Sequence, residues 1–459
     1  MRHGVQLGLA FVGALACARN EYFVCNGDDD CTTSATQGLC QPTGSCCFSD
    51  DDCPSGQRYG ERGPPSVAGE CVQPYGTTSG ATTTGATADA SGTTNNDGET
   101  LSLSSGTSTS GENTTTGERC PPDWWDCAYG IRHQLLVTRS TDDPLTSIPV
   151  LITLDATRVE YSQMQTDGED LRFVSLSGEV LASESIQWNF DGTSLFWVLL
   201  DTLGGAQDGL WLYYSNPVAQ TPSDLAPVFG APFEAVFHFD DDGSDATSND
   251  NHGTPMGTLA LVQGQVGDAQ DFLTPDARLS IGADESIAGL FATGGTVSAW
   301  MRPRGWGGGD YGRVVDKFAD DVGWRFYVDA MGRLYFGFAA GESPTLTWQT
   351  VPEQIELDVW THVAAVHDAS QLAAATLYVN GVEVELMDAT VPSVTASPSD
   401  ADLELTIGNR ANETRQFDGV LDEVRFTRSA RSPPWIVIQY DSMRDALLSY
   451  GPAQHLDGA

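Results

Sequence analysis

The chain has 459 residues, more than one hydrophobic core normally serves, so two or more domains are expected. Asp and Glu total 63 against 22 Lys and Arg, which gives a formal net charge of -41 at pH 7. Phosphates of nucleic acids and anionic lipid head groups repel such a polyanion, so neither is expected as a partner. The charge suits a soluble surface protein with cation sites.

The first residues have the features of an export signal. Arg2 gives a basic start, and the apolar run from Leu7 to Ala16 is too short to span a bilayer, so residues 1–16 are predicted to be a signal peptide. Ala14-x-Ala16 fits an ordinary signal-peptidase site, whereas a small residue before Cys17 fits a bacterial lipoprotein box. Secretion and lipidation of Cys17 both stay open. The predicted location is extracytoplasmic, either secreted or lipid-anchored at the bacterial cell surface, and such an anchor would be the protein's only membrane contact.

The cysteines agree with export, because all ten lie between Cys17 and Cys127. Residues 20–73 hold most of them in a short polar segment that cannot bury a core, so disulfides are the expected staples. Zinc is the competing interpretation, but no Cys-x2-Cys pair with a downstream His occurs there. Cys120 and Cys127 are predicted to pair with each other and close a small loop. Cleavage before Cys17 would leave ten cysteines, whereas lipidation would leave nine thiols.

Two β-rich blocks follow a linker. Residues 76–117 are Thr, Ser, Gly, Ala and Asn with almost no large apolar residue, which predicts a disordered linker. Short alternating runs separated by turn residues then predict an all-β fold of two tandem antiparallel β-sandwich domains, at residues 120–232 and 233–430. Asn380-Gly381 is a strong hairpin signal. A C-terminal capping helix is predicted at residues 433–450, with proline in its first turn.

The second block resembles the laminin G-like, concanavalin A-like jelly-roll family of bacterial surface proteins. The similar stretches follow in the family's order: FHFDDDG with DATSNDNHGT (237–254), GQVGDAQDF (264–272), TVSAWMRP (296–303), VDKF (315–318), WTHVAAVHD (360–368), LYVNGVEV (377–384), LTIGNR (405–410) and FDGVLDEVRFTRSARS (417–432). The resemblance implies a concanavalin A-like jelly roll.

The first block resembles an uncharacterised bacterial β-rich module that commonly precedes such jelly rolls. The stretches that carry this resemblance are DGEDLRFVS (167–175), SLFWVLLDTL (194–203) and GLWLYYSNPVA (209–219). Ser215 stands where that family usually has Gly. The tail RSPPWIVIQYDSM (431–443) is similar to the tail found when both modules occur together. This resemblance implies architecture and no agreed activity.

The jelly-roll resemblance also implies a structural calcium ion. Calcium needs several oxygen ligands that converge from loops. In similar jelly rolls the turn after the first strand and the late Asp of the D-E-V-R strand approach one ion, which suggests Asp245 and Asp422 here, assisted by Asn249 or Asn251. Ordinary Asx-turn capping in an acidic loop is the alternative for the same residues.

No motif for catalysis stands out. Retaining glucanases of this fold carry Glu-x-Asp-x-x-Glu, and the nearest match here, from Glu356 through Asp358, has Thr361 in place of the second catalytic acid. Asp422 and Glu423 are adjacent on a predicted strand, so their side chains are expected on opposite faces. No catalytic residue and no enzyme activity are predicted.

The expected function is non-catalytic recognition of an extracellular glycan or a surface protein, with Trp306, Tyr311 and Trp348 as possible aromatic contacts. A structural cell-envelope spacer is the second interpretation, and a divergent glycoside hydrolase is the third.

Overall fold

The structure is a computed structural model. It describes residues 39–40, 46–49, 57–59, 120–139, 144–204, 208–222, 225–240, 243–340, 346–369, 375–387 and 399–456. The predicted signal peptide, Cys17, the linker 76–117 and most of the cysteine-rich segment 20–73 lie outside these residues. The chain divides into two compact units, Met1–Gly111 and Glu112–Ala459. In the first unit, β1 (Leu39–Cys40), β2 (Cys46–Ser49) and β3 (Gln57–Tyr59) form an antiparallel sheet.

The second unit contains two antiparallel β-sandwiches, as the sequence predicted. The strands of the first sandwich are β4 (Ile131–Val137), β5 (Leu145–Leu154), β6 (Arg172–Ser175), β7 (Ser183–Gln187), β8 (Ser194–Leu203) and β9 (Gly209–Tyr214). The strands of the second are β10 (Phe233–Phe237), β11 (Thr254–Met256), β12 (Leu259–Gln263), β13 (Asp268–Phe272), β14 (Arg278–Gly282), β15 (Gly295–Pro303), β16 (Arg313–Ala319), β17 (Val322–Val328), β18 (Leu334–Ala340), β19 (Leu346–Gln349), β20 (Thr361–His367), β21 (Ala375–Val379), β22 (Val382–Glu383), β23 (Leu405–Ile407) and β24 (Gly419–Thr427).

The chain ends with one helix and two short strands: α1 (Pro433–Met443), β25 (Leu448–Tyr450) and β26 (Gln454–His455). The helix is shorter than the predicted 433–450, because residues 448–450 pair with β4 as a strand. A 3-10 turn at Glu285–Ile287 is capped by Asp284, whose side chain accepts a hydrogen bond from the N–H of Ser286. None of the helices in the described ranges has the length and hydropathy needed to cross a lipid bilayer.

The first sandwich is completed by the end of the chain. Its larger sheet has the order β25-β4-β9-β6, and β26 also pairs with β4; its smaller sheet has the order β5-β8-β7. A disulfide joins Cys120 to Cys127 just before β4, with an S–S distance of 1.98 Å. The chain therefore passes through the second sandwich and then returns to the first one.

The second sandwich is a jelly roll of two facing sheets. One has eight strands, in the order β12-β13-β24-β15-β20-β21-β22 with β10 beside β24, and the other has seven, in the order β11-β14-β23-β16-β17-β18-β19. The core between them is aromatic and aliphatic and includes Trp324, Phe326, Phe336 and Phe426. Its Asn380-Gly381 turn has positive φ angles of 51° and 77° and joins Val379 to Val382. Such φ angles are the reason that Asn-Gly favours a tight hairpin.

The hydrophobic core of the first sandwich extends onto the outer face of the eight-stranded sheet of the jelly roll, so the two sandwiches share this core. In β20, Val363 and Ala365 face the interior of the jelly roll, whereas Ala364 and Val366 belong to the same cluster as the core of the first sandwich. A strand buried on both faces reads as a continuous apolar run, and this one does. Helix α1 lies in this shared core: Gln439 donates to the carbonyl of Pro149 in β5 at 2.7 Å.

Candidate functional site

Asp245, proposed from the sequence as a calcium ligand, organises the turn after β10. Its Oδ1 accepts hydrogen bonds from the backbone N–H groups of Val236 and Thr247, both at 2.9 Å. Its Oδ2 accepts from the hydroxyl of Thr247 at 2.8 Å and from the N–H of Asn251 at 2.9 Å. A carboxylate has about four acceptor positions, so these four donors occupy them. The contacts are those of a capped Asx turn.

Asn249 and Asn251 lie beside Asp245 and tie the turn to neighbouring segments. Their side-chain amide nitrogens donate to the carbonyl of Glu234 at 3.0 and 2.8 Å. The amide nitrogen of Asn251 also donates to the hydroxyl of Ser286 at 2.9 Å. The structure thus brings Asp245, Asn249 and Asn251 together through hydrogen bonds from N–H donors.

Asp422, the fourth residue of that set, has a different environment. It is fully buried, and its Oδ2 accepts from the N–H groups of Gln265 and Val266 at 2.8 and 2.9 Å. Its Oδ1 has no hydrogen-bond partner. Burial, and then the charge of Glu423, raise the pKa of Asp422 well above the ordinary value. Within the described ranges, no group of three or more His, Cys, Asp or Glu side chains could hold a metal ion, and calcium binding stays a prediction.

Asp422 and Glu423 lie on the same face of β24, so the expectation that they point to opposite faces is wrong. The pairing of β24 with β15 shifts between Ser298 and Trp300, and Glu423 has a positive φ of 50°. This is a β-bulge, in which two residues face one partner and the alternation is interrupted. Leu421 and Val424 face the jelly-roll core on either side of the bulge. Both acids therefore face the first sandwich.

The bulge builds a buried charged cluster between the sandwiches. Glu423 accepts from a ring nitrogen of His238 at 2.8 Å and pairs with Arg425 at 2.6 Å. The guanidinium of Arg425 lies 4.3 Å from the ring centroid of Trp197 in the first sandwich. Burial opposes ionisation of Glu423, but the positive charges of Arg425 and His238 outweigh it and lower its pKa to about 2. The cluster holds the two sandwiches together.

Asp240 lies at the rim of the same cluster. It accepts a hydrogen bond from the N–H of Asp268 at 3.3 Å. Burial, and then the negative charge of Glu423, raise the pKa of Asp240 to about 7. The cluster therefore contains acids with widely separated pKa values, a feature of many active sites. Here, however, Glu423 and Asp422 are enclosed between two packed sandwiches.

The outward face of the seven-stranded sheet carries a second group of charged side chains. We call it the arginine–tyrosine face and define it by Arg313, Arg325, Tyr327, Arg333 and Tyr335. The rings of Tyr327 and Tyr335 stack at 4.6 Å between centroids. Arg313 lies 4.2 Å from the Tyr327 ring, and Arg333 lies 5.1 Å from the Tyr335 ring. Two stacked tyrosine rings thus lie between two guanidinium groups, and Arg313, Tyr327 and Tyr335 are buried.

Carboxylates on this face are engaged by arginines. Asp316 accepts from Arg313 at 2.8 Å, and Asp329 accepts from Arg333 at 2.9 Å and from the hydroxyl of Tyr335 at 2.9 Å. In the register of β16 and β17, Asp316 lies opposite Arg325, and Arg325 precedes Asp329 by four residues. At roughly 3.3 Å per residue, the two acids therefore lie about 13 Å apart along the strand. Catalytic carboxylates of glycosidases are about 5 to 10 Å apart. This pair does not have that geometry.

The three aromatic residues singled out from the sequence differ in exposure. Trp348 is 2% exposed and packs in the jelly-roll core, so it is not a ligand platform. Trp306 is partly buried against the same core. Tyr311 is 41% exposed and lies beside Tyr327, with 6.2 Å between ring centroids. Only Tyr311 of the three belongs to the edge of the arginine–tyrosine face.

The fold and this surface define an all-β protein whose jelly roll follows a smaller β-sandwich. Residues 275–437 match the family model described as the concanavalin A-like lectin/glucanases superfamily. Residues 167–252 match a domain of unknown function, DUF2341. The chain therefore carries a concanavalin A-like domain preceded by the uncharacterised module, as the sequence resemblance implied. A comparison with curated proteins gave no match.

Solved structures are similar to parts of the chain. The binding domain of Paraclostridial Mosquitocidal Protein 1 is 17% identical, with a TM-score of 0.38 over 46% of this chain and 52% of that one. The binding domain of botulinum neurotoxin DC, in complex with SialylT, is 12% identical, with a TM-score of 0.37 over 46% and 52%. Domain 4 of AbnA, a GH43 extracellular arabinanase from Geobacillus stearothermophilus, in complex with arabinotriose, is 21% identical, with a TM-score of 0.32 over 45% and 96%. The chain spans about half the length of the two toxin domains.

Proposed function

We propose that this chain is an exported binding protein that recognises an extracellular glycan or a surface protein without catalysis. The arginine–tyrosine face carries the proposal, because the partly exposed guanidinium groups of Arg325 and Arg333 pack on tyrosine rings and the exposed ring of Tyr311 lies at its edge. Binding sites commonly combine aromatic surface with a few placed polar groups. The match to a superfamily of lectins and glucanases also supports a carbohydrate ligand.

Export is part of the proposal. It is supported by the basic start at Arg2, the apolar run from Leu7 to Ala16 and the concentration of cysteines before residue 128. The mature protein would be secreted, or attached to the cell surface through Cys17.

A glycan array tests the binding proposal. The full mature chain, applied to an array of microbial and plant glycans, is expected to bind a subset of them, and Tyr311→Ala is expected to weaken the signal. Val382→Ala is a suitable control, since Val382 is 65% exposed and lies on the other sheet. Absence of glycan and surface-protein binding, together with a stable homotypic assembly in solution, would support the envelope-spacer alternative instead.

A further inference from the structure

Arg325 is a cation that forms no ion pair with the residues that the structure describes. It lies in β17 opposite Asp316 on one side and Gly337 on the other. Its guanidinium lies 4.4 Å from the ring of Phe318 and 5.6 Å from that of Tyr327. Its buried Nε has no hydrogen-bond partner, and no ion pair of Arg325 occurs among the described residues. An arginine held by aromatic rings keeps its fork of N–H donors for another acceptor.

The charge around Arg325 is positive, in contrast to the chain as a whole. The carboxylate of Asp316 lies 2.8 Å from Arg313 and 3.8 Å from Arg410. The positive charge of Arg325 also acts on Asp316 and favours its ionised form. Three guanidinium groups and one carboxylate leave a formal charge of +2. Burial lowers the pKa of Arg313 to about 10, and the charge of Arg325 acts in the same direction. An acidic ligand group would relieve this repulsion.

Arg325 is partly exposed, and its side chain packs over the backbone of the next strand at Gly337. A Cβ at Gly337 would lie 3.0 Å from the Nε of Arg325, closer than an ordinary contact, so Arg325 itself fills the space that the glycine leaves. Thr347 lies opposite Gly337, and Gln349 lies opposite Tyr335; both are partly exposed. Hydroxyl and amide groups of this kind pair with neutral hydroxyl groups. The surroundings of the cation are therefore polar and uncharged on the side toward β19.

We infer that the arginine–tyrosine face binds an anionic saccharide, whose carboxylate or sulfate group is held by Arg325. The inference rests on the proposed binding function and names its ligand class. Planar guanidinium groups bind carboxylate and sulfate oxygens through paired N–H donors. Thr347 and Gln349 offer partners for the hydroxyl groups of the same sugar, whereas an acidic peptide would not need them.

Calorimetric titration of the full mature chain tests the inference. The probes are trigalacturonate for the carboxylate, a chondroitin sulfate tetrasaccharide for the sulfate, uncharged maltotriose and a tetraglutamate peptide. We expect at least one acidic saccharide to bind more tightly than maltotriose and tetraglutamate. Arg325→Gln should weaken that binding about tenfold or more, since it removes a charge-assisted hydrogen bond, and Arg325→Lys should weaken it less. Arg302→Gln should leave it unchanged, because Arg302 lies over Trp360 at 5.1 Å and belongs to the other sheet.

The outcomes separate this inference from the proposed function. Binding of neutral glycans alone, or binding of acidic sugars that Arg325→Gln does not weaken, overturns the inference and leaves the binding function in place. Tetraglutamate binding as tightly as either sugar overturns the saccharide class. Failure of every probe and of the glycan array overturns both. If wild type and Arg325→Gln have the same melting temperature by circular dichroism, a loss of affinity reflects the lost contact and not unfolding.

Discussion

At the scale of single residues, Asp245 shows how one side chain can define a loop. Its carboxylate accepts three hydrogen bonds from within the turn of seven residues from Asp245 to Asn251, and a fourth from the N–H of Val236 in β10. It is 6% exposed, so water cannot replace these bonds readily. Buried N–H donors that lose their acceptor destabilise a protein by about 1–3 kcal/mol each.

Asp245→Ala is therefore expected to lower the free energy of unfolding by about 3 kcal/mol, because several buried donors lose their acceptor at once. Chemical denaturation with and without EDTA measures this change. Since protein donors occupy the acceptor positions of Asp245, we expect EDTA to have little effect on either protein. If EDTA destabilises the wild type and not the variant, Asp245 binds calcium as the sequence hypothesis states. Asp276→Ala is the control, since Asp276 is an exposed turn residue, unlike the buried Asp245.

At the scale of elements, the bulge in β24 decides which charged side chains lie between the two sandwiches. An uninterrupted strand would turn Glu423 into the jelly-roll core, where a charge would have no partner. The bulge instead turns it toward His238 and Arg425, which neutralise it. The same change places Asp422 and Glu423 close enough for the charge of Glu423 to raise the pKa of Asp422.

The raised pKa of Asp240, at the rim of the buried charged cluster, predicts that the stability of the protein falls as the pH rises, and Asp240→Asn removes this effect. The pKa of Asp240 is raised to about 7 by burial and by Glu423, so the folded protein favours its protonated form. A raised pKa means that stability is fully present below the ordinary pKa, near 4, and is lost as the pH rises through about 7. Asn cannot ionise and avoids this loss. We expect the variant and the wild type to have similar Tm values at pH 4, and the variant to melt about 3 °C higher at pH 8.

Thermal melts from pH 4 to pH 8 measure this difference. His238, whose pKa is also raised, contributes in the same direction in both proteins, so only the difference between the two melting curves reports on Asp240. A Tm difference that does not grow with pH would show that Asp240 titrates normally in the folded protein. Asp268→Asn serves as a control, because Asp268 is an exposed neighbour on β13.

At the scale of the whole molecule, the chain interlocks its two sandwiches. In sequence, the jelly roll follows the first six strands of the smaller sandwich and precedes the tail strands β25 and β26, which complete that sandwich. Leu447, before β25, is 1% exposed within the shared core, and the hydroxyl of Tyr450 accepts from the N–H of Thr153 at 3.1 Å. The smaller sandwich is therefore discontinuous in sequence, although its own strands 131–214 are consecutive.

Truncation after Asp445 tests this interlocking. The shortened chain lacks both tail strands, which leaves one edge of β4 unpaired and exposes part of the shared core. We expect a Tm lower by about 5 °C or more and faster amide hydrogen exchange in β4, while β17 in the jelly roll keeps its protection. Truncation after Leu456 is the control, as it keeps both strands. Equal exchange in β4 for the two truncated chains would contradict a structural role for the tail.

The sequence predicted the strands well and the candidate sites less well. Alternating runs such as WRFYV predict Trp324 and Phe326 in the core and Arg325 and Tyr327 on the opposite face of the sheet. The structure follows this alternation, with Arg325 partly exposed and Tyr327 buried. The same alternation could have revealed the arginine–tyrosine face, but only with the strand neighbours known. The bulge at Glu423 left no sequence signal, because a positive φ at a non-glycine residue is imposed by the strands around it.

What the sequence determined by itself was the local order: two all-β blocks, their turns at residues such as Asn380-Gly381, and the family resemblance of each block. These follow from side-chain periodicity and backbone preferences, which act over a few residues. The tertiary structure alone decided which charged groups meet. Asp422 and Glu423 share a face because of a bulge against β15, a strand far away in the chain. Arg325 is left without an ion pair among the described residues because Arg313 and Arg410 approach the Asp316 carboxylate. The hydrogen bonds of Asp245 are local, since Val236, Thr247 and Asn251 lie within 9 residues of it, but which of its oxygens meet N–H donors is seen only in the folded turn.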